Sequence, residues 1–193
     1  SRKGTKVNLV AGFPWFGRWG RDTFISLPGL CIALNDWRMF RLAIDTMLED
    51  FKDGFFPNIG EGTQAAYNSV DAPLWFFWAL QQYAYINDRR KEVWQAYSHV
   101  MRSILENFSE GVSNVRMDSN FLLWQGEDGK ALTWMDAIID GNPVTARKGY
   151  AVEINSLWYN AVMIYRELAK LQCEDGEIAK WDEFAANFPT NFK

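Results

Sequence analysis

The sequence predicts an all-α protein: part of an α/α toroid with about three inner–outer helix pairs, interrupted by a small β-hairpin near residues 112–125. Three observations carry that expectation. Six segments show helical periodicity, they alternate between two kinds of apolar patterning, and the period stops between residues 109 and 133. A helix apolar on nearly every side must be covered all round, whereas a helix with one apolar stripe lies on the outside. A conventional four-helix bundle would give every helix a single stripe, so it ranks second.

The elements follow in order. Asp22 to about Leu34 is apolar almost all round. Asp36 to about Lys52 has one stripe, through Trp37, Phe40, Ile44, Met47, Leu48 and Phe51. Ala72 to Ile86 is again apolar on most sides. Arg90 to Phe108 is amphipathic, with Val93, Trp94, Tyr97, Val100, Met101, Ile104, Leu105 and Phe108 on one face. Within 112–125, Asp118-Ser119-Asn120 supplies an Asx-type turn between two short apolar runs. Tyr150 to about Leu168 is once more largely apolar, and Glu177 to Phe188 closes as one amphipathic helix. The order is buried then half-buried, three times over.

Composition narrows the function. The 193 residues are 48% hydrophobic and include 10 Trp, 14 Phe and 7 Tyr, more aromatic surface than packing alone requires, so some of it faces a ligand. A net charge of -4 argues against nucleic acid and against binding to an anionic membrane surface. No apolar run reaches the ~20 residues of a membrane span. Cys31 and Cys173 read as reduced thiols, which fits the cytoplasm. Ser1 in place of an initiator Met reads as the start of a cut piece. His99 lies among Tyr97, Val100 and Met101, where packing outweighs catalysis. A single His and no Cys cluster give no metal signature and imply no cofactor.

Two stretches concentrate the chemistry: Trp15-Phe16-Gly17-Arg18-Trp19-Gly20-Arg21-Asp22 and Leu132-Thr133-Trp134-Met135-Asp136. Each sets a carboxylate beside tryptophan. Indole faces suit the C–H faces of sugar rings, and carboxylates and guanidinium groups suit sugar hydroxyls. Desolvation beside an indole also disfavours the charged form of a carboxyl, the property a glycosidic general acid needs. Acidic residues stand at the start of each predicted inner helix, Asp22, Asp71 and Glu153, with Trp19, Trp75 and Trp158 close in sequence. Each acid alone could be a helix cap. In a toroid all three starts gather at one end, where a pocket would form.

The stretches AGFPWFGRWGRDTFISLPGL (11–30), YNSVDAPLWF (67–76), LTWMDA (132–137) and ARKGYAVEINSLWYNAV (146–162) closely resemble the C-terminal amylo-α-1,6-glucosidase domain of glycogen debranching enzymes. The resemblance covers nearly the whole chain, in that family's order and spacing. It implies the six-hairpin (α/α)6 barrel shared with glucoamylases, of which three pairs are about half. On that basis residues 1–193 are the N-terminal half of one barrel domain, with the remaining helices and the catalytic base beyond Lys193. Such a piece is expected to be inactive alone and to self-associate through exposed faces of its inner helices.

The resemblance implies an inverting glycoside hydrolase that removes α-1,6-linked glucose stubs from glycogen or limit dextrin. It makes Asp136 the general acid, with Trp134 as an apolar wall beside it. Arg21 and Asp22 match a pair that grips hydroxyls of the terminal glucose. Trp15, Trp19, Trp75 and Trp158 become candidates for stacking, and Asp71, Lys148, Glu153 and Asn155 are expected to line the pocket. Glu127 and Asp128 read as solvated turn acids and Asp140 as a turn residue, so none rivals Asp136. Arg147-Lys148 departs slightly from the Pro-Arg pattern of the family. Two alternatives remain open: a glucoamylase- or trehalase-like glycosidase on the same barrel, and a non-catalytic glucan-binding helical module.

Overall fold

The computed structural model describes residues 6–193 (for Asn87, the backbone only). Two short strands, β1 (Val10–Gly12) and β2 (Phe16–Arg18), pair antiparallel and run into helix α1 (Gly20–Leu27). Pro28 has no N–H to continue the α pattern. The chain widens there into a π-type turn over Pro28–Ile32, closed by Ala33 N–H donating to the Pro28 carbonyl at 3.0 Å. The first predicted helix therefore starts two residues early and changes type halfway. Asp36 caps helix α2 (Trp37–Leu48), its carboxylate accepting from Met39 N–H at 2.9 Å.

Helix α3 (Asp71–Tyr85) follows, then α4 (Arg90–Glu110), which stops at Gly111 with a φ of 97°. The hairpin appears where the helical period fails: β3 (Val115–Met117) pairs antiparallel with β4 (Leu123–Gln125), Arg116 opposite Trp124. Asn120 Oδ1 accepts from Leu122 N–H at 3.0 Å, the expected Asx turn. A second, two-residue hairpin joins β5 (Ile138–Ile139) to β6 (Asn142–Pro143). Helices α5 (Val152–Leu171), α6 (Asp175–Ala179) and α7 (Asp182–Asn191) complete the chain.

The protein is all-α with small β excursions, and its helices sort into inner and outer members. Helix α3 packs against α1 on one side and α5 on the other, with α4 lying against both α3 and α5. Helix α2 packs against the Pro28–Ile32 turn, and α6 and α7 pack against α5. The inner row is thus α1, α3, α5. Only Tyr85 of α3 is exposed, as its all-round apolar sequence demands. Around α1 the cover is incomplete: Ile25, Leu30 and Leu34 are exposed.

One expectation needs correcting. The apolar stripe through Ile178, Trp181, Phe184 and Phe188 exists, but the single closing helix does not. The chain breaks between α6 and α7, with Trp181 N–H donating to the Ile178 carbonyl at 3.0 Å. The break turns Trp181 inward, edge-on to Trp158 with ring centroids 5.7 Å apart. Burying that indole outweighs continuing the helix ladder by one turn.

Candidate active site

Three segments far apart in sequence meet at the N-terminal end of α1. The chain leaving β2 turns tightly, with Gly20 N–H donating to the Asn58 carbonyl at 2.9 Å. That places Arg21 in the first turn of α1, where it is almost fully buried. The segment before α3 is stitched to the segment before Trp134 by Val70 N–H donating to the Leu132 carbonyl at 2.9 Å. Asp71 and Asp136 are thereby brought to the same guanidinium.

Arg21 Nε donates to Asp71 Oδ2 at 2.7 Å, and Nη1 donates to Asp136 Oδ2 at 3.0 Å. Its Nη2 lies 3.5 Å from Ser69 Oγ. Ser69 Oγ in turn donates to Asp71 Oδ1 and accepts from Ala72 N–H at 3.1 Å. The burial of these groups is graded: the Asp71 side chain is 1% exposed, Arg21 10% and Asp136 30%. Burial disfavours the charged form of Arg21, but the hydrogen bonds and charges of Asp71 and Asp136 outweigh it, and the guanidinium is held above its ordinary range.

Asp136 stands at the edge of an open hollow of about 270 Å³, lined with Trp134, Met135, Ala137, Val144 and Thr145. Trp134 is half exposed there. Asp22 is exposed and lines a second hollow of about 300 Å³ with Leu9, Val10, Ala11, Ile25 and Leu30. Arg21 belongs to this second hollow and bonds to the acid of the first, so its buried network lies between the two. The arrangement presents an accessible carboxyl held in place, beside an indole, with polar groups at its back.

The other predicted residues divide. Trp15 is 83% exposed in the β1–β2 turn, next to Phe13 and Phe16, which are also exposed. Trp19 is half-buried, edge-on to Phe16 at 6.2 Å, and its carbonyl accepts from Thr23. Trp75 lies one turn beyond Asp71, half-buried and edge-on to Trp78 at 5.5 Å.

Four residues are engaged elsewhere. Glu153 pairs with Arg147 at 2.5 Å, and Lys148 with Asp128 at 2.9 Å. Asn155 is buried and holds β4 to the start of α5, accepting from Leu123 N–H at 2.7 Å and donating to the Leu123 carbonyl at 3.1 Å. Trp158 is fully buried among Phe108, Trp181 and Phe184, which leaves no ring face for a sugar.

Sequence reasoning missed Ser69, whose signal was a serine just ahead of a helix start, the position of a capping residue. The rival acids Glu127 and Asp128 are exposed, as solvated turn acids should be, but they are not of the ordinary strength expected of them. Hydrogen bonds from Lys130 and Asn114 hold Glu127 below the usual carboxylate range, and one from Lys148 does the same for Asp128. Asp140 sits in the β5–β6 turn with a φ of 50°. Among the described residues no group of three His, Cys, Asp or Glu side chains is placed to hold a metal ion. No helix among the described residues is long and apolar enough to cross a membrane.

Comparison with known proteins gives the family. The profile of the family described as amylo-alpha-1,6-glucosidase matches residues 1–193. A curated relative, the glycogen debranching enzyme of Saccharomyces cerevisiae (strain ATCC 204508 / S288c), is 24% identical over 255 residues. That alignment takes in 96% of this chain and 17% of the yeast protein, so the chain spans about a sixth of that relative's length.

Proposed function

The chain belongs to the amylo-alpha-1,6-glucosidase family, and from that premise we propose that it supplies the proton-donating part of a glycoside hydrolase site for α-1,6-linked glucose stubs on glycogen-type branched glucans. The supporting observation is Asp136: Oδ2 is held 3.0 Å from a buried guanidinium while the side chain remains 30% exposed, next to Trp134 in an open hollow.

In this reading Asp136 gives its proton to the glycosidic oxygen as the bond from C1 to that oxygen breaks, the bonding pair staying with the oxygen. Water adds to C1 from the opposite face and loses a proton to a second carboxylate, so the configuration at C1 inverts. We assign that second carboxylate, with the remaining helices of an (α/α)6 barrel, to a part of the protein outside these residues, and the site to the cytoplasm. The polypeptide 1–193 alone then has no turnover, and its exposed Ile25, Leu30 and Leu34 favour self-association.

The test is Asp136→Asn in the full-length polypeptide, read as glucose released from limit dextrin. Loss of a general acid lowers kcat by about 10²–10⁴-fold. Unchanged turnover overturns the assignment and favours a second reading, a glucan-binding module, to which the exposed Phe13, Trp15 and Phe16 are equally suited.

A further inference from the structure

We propose that Arg21 is a positioning residue for Asp136 instead of a grip on the sugar, and that Asp71 and Ser69 exist at this site to hold Arg21. The inference rests on the reading of Asp136 as proton donor and deepens it. All three guanidinium nitrogens are engaged within the protein: Nε with Asp71, Nη1 with Asp136 and Nη2 with Ser69. The Asp71 side chain is 1% exposed and meets no sugar; that of Arg21 is 10% exposed, and three of its five N–H groups, including the one on Asp136, are directed to protein partners. Asp22, the next residue, is exposed and stays open to a sugar hydroxyl.

Asp136 needs such a hold. It lies between β4 and α5, where the only regular structure is the two-residue pairing of Ile138–Ile139 with Asn142–Pro143. Arg21, by contrast, stands in the first turn of α1, and Asp71 is the first residue of α3. The guanidinium therefore ties an irregular segment to two packed helices, which fixes a reactive group more narrowly than its own loop can.

The bond also selects an oxygen. Because Oδ2 accepts from Arg21, the transferable proton of the neutral acid resides on Oδ1, and the direction in which it is presented is set by the guanidinium plane. Ser69 completes the set. Its hydroxyl hydrogen is committed to Asp71, which leaves its oxygen to face Arg21 and the Ala72 N–H.

The experiment compares two leaving groups in the full-length polypeptide. In the α-1,6-linked substrate the main chain leaves from C1 through its C6 oxygen, an alkoxide that needs the proton; α-D-glucosyl fluoride loses fluoride, which needs it far less. Asp71→Asn and Arg21→Lys are expected to lower kcat on the α-1,6-linked substrate by about 10²-fold, with KM changed less than about twofold and fluoride turnover largely kept. Ser69→Ala, the mildest change, should show the same selectivity with a smaller loss. Equal losses on both substrates, or a rise in KM that accounts for the loss, would mean that Arg21 and Asp71 bind sugar, and the inference falls.

Asp136→Asn is run alongside. If it shows no selective loss on the poor leaving group, the proton-donor reading itself has failed, and this proposal with it. If Asp71→Asn unfolds, as a loss of its cooperative transition would report, Arg21→Lys and Ser69→Ala decide by the same ratio.

Discussion

Gly20 lies against the backbone of Pro57: a Cβ placed on Gly20 would stand 2.3 Å from the Pro57 carbonyl oxygen. The contact is with main chain, so no side-chain rotation can relieve it, and it adjoins the bond from Gly20 N–H to the Asn58 carbonyl. Gly20→Ala must push α1 away from the 57–58 segment, and Arg21 moves with it. We expect about 1–3 kcal/mol lower stability in urea unfolding, the range for overpacking a tight contact. A fall in kcat on α-1,6-linked glucose should accompany it. Wild-type stability and turnover together would show that the close approach has no consequence.

Trp15 tests the opposite situation, a large aromatic that supports nothing beneath it. At 83% exposed, its loss in Trp15→Ala should leave the unfolding midpoint within about 0.5 kcal/mol of wild type. If the β1–β2 turn meets glucan, KM for a branched dextrin rises several-fold while kcat on a small α-glucoside is kept. A fall in stability with an unchanged KM would assign the ring to packing.

What the sequence made legible follows from which physical signals are local. The all-round apolar run 72–86 and the single stripe of 90–108 translate directly into α3 as an inner helix and α4 as an outer one. The Asx turn expected of Asp118-Ser119-Asn120, made by Asn120 and Leu122, is equally plain, because its cause lies within three residues. The break between α6 and α7 is not, since it depends on Trp181 meeting Trp158, 23 positions away. For the site, WGRD and WMD pointed to Arg21 and Asp136, but not to the bond between them, which spans 115 positions. Burial was the least legible property. Asp71, Asn155 and Trp158 read as pocket residues because their types suit sugars, whereas tertiary packing commits each of them to the protein interior.

Glu92 supplies a pH signal separate from the site. Its carboxylate accepts from Arg41, Tyr83 and Arg89, each at 2.9 Å. Partial burial opposes its charge, but these donors prevail and hold it below the ordinary carboxylate range. With the folded value depressed, the contribution to stability is present above the unfolded pKa, near 4.5, and is lost as pH falls through the folded value. Glu92→Gln should therefore lower the urea midpoint near neutral pH and converge on wild type as pH falls through the depressed folded value. Because these charges are partly solvated, the difference at neutral pH should stay under about 1 kcal/mol. A difference independent of pH would show that the donors contribute through shape alone.

Trp158 separates packing from recognition most sharply. Its ring is fully buried, and its Nε1 has no hydrogen-bond partner among the described residues. Removing the ring in Trp158→Ala opens a large void between α5 and α7 and should cost about 3–5 kcal/mol. Trp158→Phe removes less volume and also the unpartnered N–H, whose burial is itself unfavourable by about 1–3 kcal/mol. The two effects offset, so this variant should lose under about 1.5 kcal/mol and keep its KM for branched dextrin. Were Trp158 a sugar platform, the order would reverse: Trp158→Phe would fold normally and bind glucan weakly. Urea unfolding and KM measured on the same two variants decide it, since a core ring moves the first and a stacking ring the second.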